Sequence, residues 1–479
     1  MIDTELYTIE LPDNLLCCDD NKYDPSKPRI KTILWDHYDW FVEMDKAGKA
    51  RPVVLDNVQK TILCNTSYLG FDVFECPHCG NEMVFNRKCH SRFCTSCGVK
   101  YQKALAIRAE TMCLDTQHRH IVFTIPEEYR ILFRKDRSAL NLLFIAARNT
   151  ICKITNESIY RKEKRKRSKT GKLHNDKDDT YLYRNFENAM VFGMIATIHT
   201  FGRDLKWNPH IHALVPEMIY DPVNDCIKPF HHFNFTSLRK TWQYELNHLL
   251  KKQFGKYFVP YANKSYIDQD KGFYVYARAA RDDPETSSRS YSKDVAGCVS
   301  YMMRYAARPA MAESRLVSYD KKTRTVAWYY NDHKTEKRED VVEPAIELLK
   351  KMIIHIPDEG FRCVRYYGFY NNKKKNQLER IYELMGTEKK RSRDKRKREQ
   401  QRKEKLRKLR LRTSVCDTFN RDILLYKCGF IMKYADTYNP LEGMTNDRTY
   451  RQKCIDEVRK MRLPRIPPGR GSPHSAGSV

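Results

Sequence analysis

The run Asn208-Pro209-His210-Ile211-His212-Ala213-Leu214-Val215 decides how the centre of this chain folds. An extended strand turns successive side chains to opposite faces. His210 and His212 therefore project together, while Ile211 turns the other way into a core. Around this run, residues 209–220 and 190–201 read as two strands, with Gly202-Arg203-Asp204 in the turn region between them. Residues 120–126 (HIVFTIP) and 272–278 (GFYVYAR) read as further strands, and residues 315–332 carry two more β-rich runs. Helical spacing of apolar residues marks 30–44, 138–156, 294–308 and 344–355. The mixture predicts an α+β chain. Two outward histidines on one strand ordinarily do no more than face water, yet side by side they can hold a divalent cation and leave positions open for water or a phosphate oxygen.

Five of the sixteen cysteines fall between residues 76 and 97. Cys76-Pro-His-Cys79-Gly and Cys94-Thr-Ser-Cys97-Gly are two C-x2-C knuckles, each able to turn both thiolates to one side. Cys76, Cys79, Cys94 and Cys97 are the expected tetrahedral Zn²⁺ ligands. Cys89 and His90 lie between the knuckles and could replace one of them. Arg87, Lys88, Arg92 and Lys100 nearby suit phosphate contact.

Tyr301-Met-Met-Arg-Tyr305 sets two phenols at i and i+4, neighbours on one face of a helix. Arg304 and Arg308 repeat the spacing, and Arg315 follows. A tyrosine can attack phosphorus and keep the bond energy as a phosphodiester. Arginines neutralise the phosphate oxygens as charge develops. In a chain with 30 tyrosines, a half-buried amphipathic helix is the plainer reading of the pair alone.

Several segments together resemble a family. HIVFTIPEEYRILFR (120–134), GMIATIHTFGRDLKWNPHIHALV (193–215), FYVYAR (273–278), YMMRYAARPAMAESRLVSYD (301–320), DHKTEK (332–337) and HIPDEGFRCVRYYGF (355–369) follow the order found in two-tyrosine HUH rolling-circle insertion-sequence transposases. Those proteins also carry an N-terminal zinc-ribbon-like domain, which residues 76–97 resemble. The resemblance spans roughly residues 30–370. It implies an HUH-type, RRM-like antiparallel sheet with flanking helices, preceded by a small zinc-ribbon domain and followed by a basic helical tail. It implies that His210 and His212 hold Mg²⁺ or Mn²⁺ and that Tyr301 and Tyr305 are paired nucleophiles, with Arg304, Arg308 and Arg315 on DNA phosphates. His199 lies in the family's HTFG stretch, with its role open, and the third metal ligand is not placed. Single-stranded DNA of element ends and target, and the host replication machinery, are the implied partners. The product would be a 5′-phosphotyrosine link and a free 3′-OH. Rolling-circle replication initiators and relaxases share this chemistry, and a non-catalytic zinc-ribbon DNA-binding protein is the alternative from another class. The family often shows a second C-x2-C-Gly element near the C-terminus, where Leu425-Tyr-Lys-Cys428-Gly keeps one cysteine.

Composition agrees with a nucleic-acid partner. With 88 Lys and Arg against 60 Asp and Glu, the 479 residues carry a formal charge of +28, which attracts polyanions. Residues 373–412 hold 19 basic and 6 acidic residues, so the rest of the chain remains basic without them. No run approaches the roughly 18–20 apolar residues of a membrane span. Residues 1–12 hold Asp3, Glu5 and Glu10 and no secretory pattern. A cytoplasmic, DNA-associated protein without a membrane role is expected. The domain reading is an N-terminal helical region at 1–70, a zinc-ribbon-like DNA-binding domain with its linking helix at 71–117, a catalytic domain at 118–370, a basic helical region at 371–462 and a disordered tail at 463–479. Residues 160–179, rich in Lys and Arg, read as an exposed insertion.

Overall fold

A computed structural model describes residues 28–80, 82–157, 190–230, 234–277, 299, 302–303, 309–332, 335–386, 419–420, 423–424, 433–438 and 447–462. The expected insertion at 160–179, most of the basic run at 373–412 and the tail at 463–479 lie outside the described residues. In chain order the helices are α1 (Ile30–Asp36), α2 (Tyr38–Lys46), α3 (Pro52–Ile62), α4 (Thr95–Met112), α5 (Glu127–Lys135), α6 (Leu140–Thr155), α7 (Phe235–Phe254), α8 (Val259–Asp268), α9 (Ala345–Ile353), α10 (Lys375–Leu384) and α11 (Arg448–Arg462). The strands are β1 (Phe71–Glu75), β2 (Glu82–Asn86), β3 (His118–Phe123), β4 (Gly193–Phe201), β5 (Trp207–Pro216), β6 (Met218–Asp221), β7 (Cys226–Pro229), β8 (Val275–Tyr276), β9 (Leu316–Asp320), β10 (Thr325–Asn331), β11 (Arg338–Pro344), β12 (Val364–Gly368), β13 (Phe419–Asn420), β14 (Ile423–Leu424) and β15 (Lys433–Tyr438). The chain divides into two units, one of Met1–Asp24, Leu34–Cys94 and Ser414–Val479, the other of Pro25–Ile33 and Thr95–Thr413.

The first unit draws on both ends of the sequence. β1 pairs antiparallel with β2 on one side and with β15 on the other, Glu75 standing opposite Lys433. α11 returns against α3, where the fully buried Arg451 pairs with Asp56 and donates Nε to Gln59 Oε1 at 3.3 Å. Gln59 Nε2 in turn donates to the buried Tyr38 hydroxyl at 2.9 Å. A buried guanidinium is tolerable only when paired and hydrogen-bonded in this way.

The second unit is organised around a five-stranded antiparallel sheet in the order β12-β4-β5-β3-β8. Its two faces follow the two-residue period. Ile121, Phe123, Met194, Ala196, Ile198, Ile211, Ala213 and Val215 point into one core with α5, α6, α7 and α8. On α7, Leu238, Trp242, Leu246 and Leu250 recur every four residues and are fully buried. Each such side chain contributes on the order of 1.5–3 kcal/mol. The Trp242 indole N–H donates to Thr124 O at 2.7 Å. Gln243, Glu245 and Asn247 are buried on the same helix, so its core face is partly polar and apolar spacing alone does not declare it.

The opposite face carries Ile195 and Leu214, packed with residues of α4 and α10 and with Val299, Met302 and Met303. At one end Gly368, with φ +60°, lies so close to Phe192 that a Cβ would sit 1.5 Å from its carbonyl oxygen. Only glycine fits there. β9, β10 and β11 form a separate three-stranded antiparallel sheet. The expected strands at 190–201 and 120–126 appear as β4 and β3. The one expected at 209–220 divides into β5 and β6, and that at 272–278 shortens to the two residues of β8.

His118 shows how burial couples this sheet to pH. Its Nδ1 donates to Thr116 O at 2.8 Å, so Nε2 accepts from the Tyr370 hydroxyl at 2.7 Å; that hydroxyl accepts from the Leu114 amide at 3.1 Å. The bonds suit a neutral ring, and burial holds its pKa down to about 4. The unfolded chain binds this proton near pH 6.5 and the folded chain does not, so stability is lost as pH falls from 6.5 through 4. The loss amounts to roughly 3 kcal/mol. Melting temperature measured across that window should fall less steeply in His118→Gln than in wild type, and parallel curves would refute the assignment.

Candidate metal and DNA-processing site

Among the described residues, two groups of side chains bring possible metal ligands within 4.8 Å of one another: Cys64, Cys89, Cys94 and Cys97, and His199, His210 and His212.

The histidine group follows from strand register. His199 on β4 stands opposite His210 on β5, and Thr197 opposite His212. Even positions on β5 and odd positions on β4 share the face away from the α7 core, so all three imidazoles meet there. Ring centroids lie 4.9 Å apart for His210 and His212, 5.0 Å for His199 and His210, and 5.9 Å for His199 and His212. Nδ1 of His210 lies 2.6 Å from Asn208 O, a carbonyl that can only accept, so its proton is on Nδ1 and the Nε2 lone pair faces His199. His120 Nε2 lies 2.9 Å from His212 Nδ1, with the two rings stacked at 5.1 Å and 5°. A proton on His212 Nδ1 would leave that ring's Nε2 as ligand, and His120 fixes the ring's orientation as outer partners of metal-binding histidines do.

Burial, reinforced by mutual repulsion, holds His199 and His212 well below the ordinary histidine range. Burial brings His210 and His120 to about 4. All four rings are neutral at pH 7, the state in which imidazole binds metal. Three nitrogens on one side, with the other side unclaimed by them, suit a cation that must also take a phosphate oxygen.

The end of the loop between these strands is also held. Leu205, at φ 63°, offers its carbonyl to His355 Nε2 at 3.0 Å, and His355 stacks on Trp207 at 5.9 Å. Arg315, expected on DNA phosphate, instead donates Nε to Tyr329 O at 2.9 Å and an Nη to Arg203 O at 2.5 Å, over the Trp328 ring at 5.3 Å. Its guanidinium fastens β10 to the loop between β4 and β5. Tyr301, Tyr305, Arg304 and Arg308 lie outside the described residues. Val299, Met302 and Met303 of the same segment are buried beside Ile195 and Leu214, on the histidine face of the sheet.

The cysteine group departs from the expected set. Cys94 and Cys97 are in it, but their companions are Cys64, beyond the end of α3, and Cys89, not Cys76 and Cys79. A zinc tetrahedron with Zn–S near 2.3 Å has S···S edges of roughly 3.8 Å, which the four sulfurs accommodate. The Cys89 amide donates to Cys64 Sγ at 3.5 Å, a contact that favours thiolate. Cys76 and Cys79 form the turn after β1, closed by Gly80 N to Cys76 O at 2.9 Å, with Cys76 buried and Cys79 exposed. His90 is exposed and outside the group. Spacing alone favoured the paired knuckles, and the signal for Cys64 was only its place just after an amphipathic helix.

Residues 33–125 match the family model described as "Transposase zinc-binding domain", and residues 193–377 match the one described as "Putative transposase". The chain is thus similar, along two separate stretches, to transposases that carry this zinc-binding domain. It is 24% identical over 360 residues to the transposase for insertion sequence element IS801 of Pseudomonas savastanoi pv. phaseolicola, covering 74% of this chain and 80% of that one. It is also 24% identical over 376 residues to "Putative transposase y4qJ" of Sinorhizobium fredii, covering 73% and 83%. No solved structure matches. The zinc-binding family model and the cysteine group together support Zn²⁺ as a metal of this chain. No described helix is long and apolar enough to cross a membrane.

Metal analysis of the purified protein tests the cysteine set. Cys64→Ser and Cys89→Ser should each lose as much zinc as Cys94→Ser; full retention in either would remove that residue from the site.

Proposed function

We propose that this transposase cleaves and rejoins single-stranded DNA at element ends through a 5′-phosphotyrosine intermediate and so drives rolling-circle transposition. The observation that carries the reading is the convergence of His199, His210 and His212 on one face of an antiparallel sheet. The catalytic unit is then an HUH-type core within residues 118–370, and His199 supplies the third ligand.

Mg²⁺ or Mn²⁺ held by the three imidazoles would supply positive charge against the scissile phosphate. The chain's own groups do the rest. The hydroxyl of Tyr301 or Tyr305 loses its proton and its oxygen bonds to phosphorus. The bond from phosphorus to the 3′ oxygen breaks, and that oxygen takes up a proton to leave as a 3′-OH. Attack by a 3′-OH on the phosphotyrosine reverses the exchange and restores the phenol. Two tyrosines allow a second cleavage before the first link is resolved. Arg304 and Arg308 are proposed to face the phosphate oxygens, and Arg315 to position the β4–β5 loop. The cysteine group is proposed as a structural zinc site within a DNA-binding domain. Burial of Val299, Met302 and Met303 against the histidine face supports placing the tyrosine segment there.

Covalent capture tests the proposal. Wild type incubated with single-stranded oligonucleotides of the element's ends and Mn²⁺ should give a denaturation-resistant protein–DNA adduct. The adduct should vanish in the Tyr301→Phe, Tyr305→Phe double variant, and wild type without an adduct would refute catalysis. His199→Ala should weaken Mn²⁺ binding, read by calorimetry, by at least about tenfold, since loss of even an outer partner of a metal ligand costs about 10- to 100-fold. Undiminished binding would exclude it as a ligand.

A further inference from the structure

β8 is the short edge strand beside β3, and its side chains divide cleanly. Phe273, Val275 and Ala277 are buried in the α7 core. The alternation turns Tyr274 and Tyr276 the other way, and Tyr274 is 55% exposed. Neither belongs to the machinery above, and a core-facing strand has no need of two tyrosines at its open positions.

Register shows where they stand. Tyr276 is opposite Val122 on β3, and Val122 is opposite His212 on β5. The three residues form one row across the sheet, and strand spacing places the Tyr276 backbone about 10 Å from that of His212. The Tyr276 ring lies 6.5 Å from that of His120, the partner of His212. One step along, Thr124 donates its amide to Tyr274 O at 3.3 Å and its hydroxyl at 2.7 Å. Between tyrosines and histidines the floor is Val122 and Thr124, both small and half-buried. The guanidinium of Arg239 lies 5.1 Å from the Tyr274 ring centre, which orients that ring and brings a cation to the same edge.

The geometry points to Tyr274 and Tyr276 as a stacking platform for unpaired bases of the DNA strand whose phosphate enters the histidine site. This rests on the function proposed above for that site. Any base offers a π-face, so the platform tolerates sequence. A duplex keeps those faces stacked internally, so the platform discriminates against paired DNA. Phosphate charge attracts both forms alike; the tyrosines supply the distinction.

Fluorescence anisotropy with full-length protein, a labelled oligothymidine of about 20 nucleotides and a duplex of equal length tests this, without added Mg²⁺ or Mn²⁺. Tyr274→Ala and Tyr276→Ala should each weaken single-strand binding about tenfold, within the range of one stacking contact, and leave duplex binding nearly unchanged. The Tyr274→Phe, Tyr276→Phe double variant should bind as wild type, because stacking needs the ring and not the hydroxyl. Unchanged single-strand affinity in the double alanine variant, or an equal loss for duplex, overturns the platform. Should that variant fail to fold, photocrosslinking of a 5-bromouracil oligonucleotide to wild type decides: adducts at Tyr274 or Tyr276 support it, and adducts only elsewhere overturn it. The assay needs neither cleavage nor catalytic metal. Failure to form a covalent adduct would therefore refute the proposed chemistry and leave this result readable.

Discussion

Everything at the centre of the second unit depends on the register between β4 and β5. The pairing of His199 with His210 and of Thr197 with His212 fixes which three imidazoles meet. The same pairing sends Ile198, Ile211 and Ala213 into the opposite core. A shift of one residue would exchange the faces, burying the histidines among the helices and exposing the apolar row. The hydrophobic demand of α6 and α7 is therefore what holds the histidines together. The chemistry borrows its precision from packing on the other side of the sheet.

Burial then sets the protonation state. Rings in water titrate near pH 6.5 and would compete for protons under mildly acidic conditions. Here desolvation holds all four histidines of the cluster low, and their mutual repulsion acts in the same direction for His199, His212 and His120. The site is thus neutral and ready for a cation over the working pH range. His120 adds geometry. Its bond to His212 occupies Nδ1, so the ring can turn its other nitrogen toward His199 and His210. Around the loop end, His355 and Arg315 bind backbone carbonyls of Leu205 and Arg203, so the two histidine strands are joined by a restrained connection.

Much of this sheet could be read from sequence because period two is a local property. The strand through His210 and His212 and its partner at 193–201 declare themselves within a dozen residues. What escaped reading is non-local. β15 joins β1 from more than 350 residues away, and only tertiary pairing reveals it. Cys64 enters the sulfur group because the turn after α3 comes back to Cys89 and the Cys94 knuckle, whereas C-x2-C spacing rewards cysteines that are near in sequence. Arg315 reads as a phosphate contact because it follows Arg304 and Arg308 in the chain; in the fold, two carbonyls and an indole hold its guanidinium. Charge in a sequence shows what a residue can bind, and burial decides what it does bind.

That distinction also bears on how a strongly basic chain would select unpaired DNA, as proposed above. A formal charge of +28 draws any nucleic acid, paired or not, and the attraction weakens steeply with salt. Net charge cannot by itself tell strand from duplex. Discrimination has to come from contacts that only an unstacked base can make, placed where the backbone reaches the reacting groups. Among the described residues, edge strand β8 offers such a place because it carries Tyr276 in the same row as His212. Helices α5 to α8 pack one face of this sheet and α4 and α10 cover part of the other, and β8 is short enough not to invite pairing with another chain. On the proposed reading, attraction is spread over the whole molecule, and recognition of the single strand is confined to about 10 Å beside the histidines.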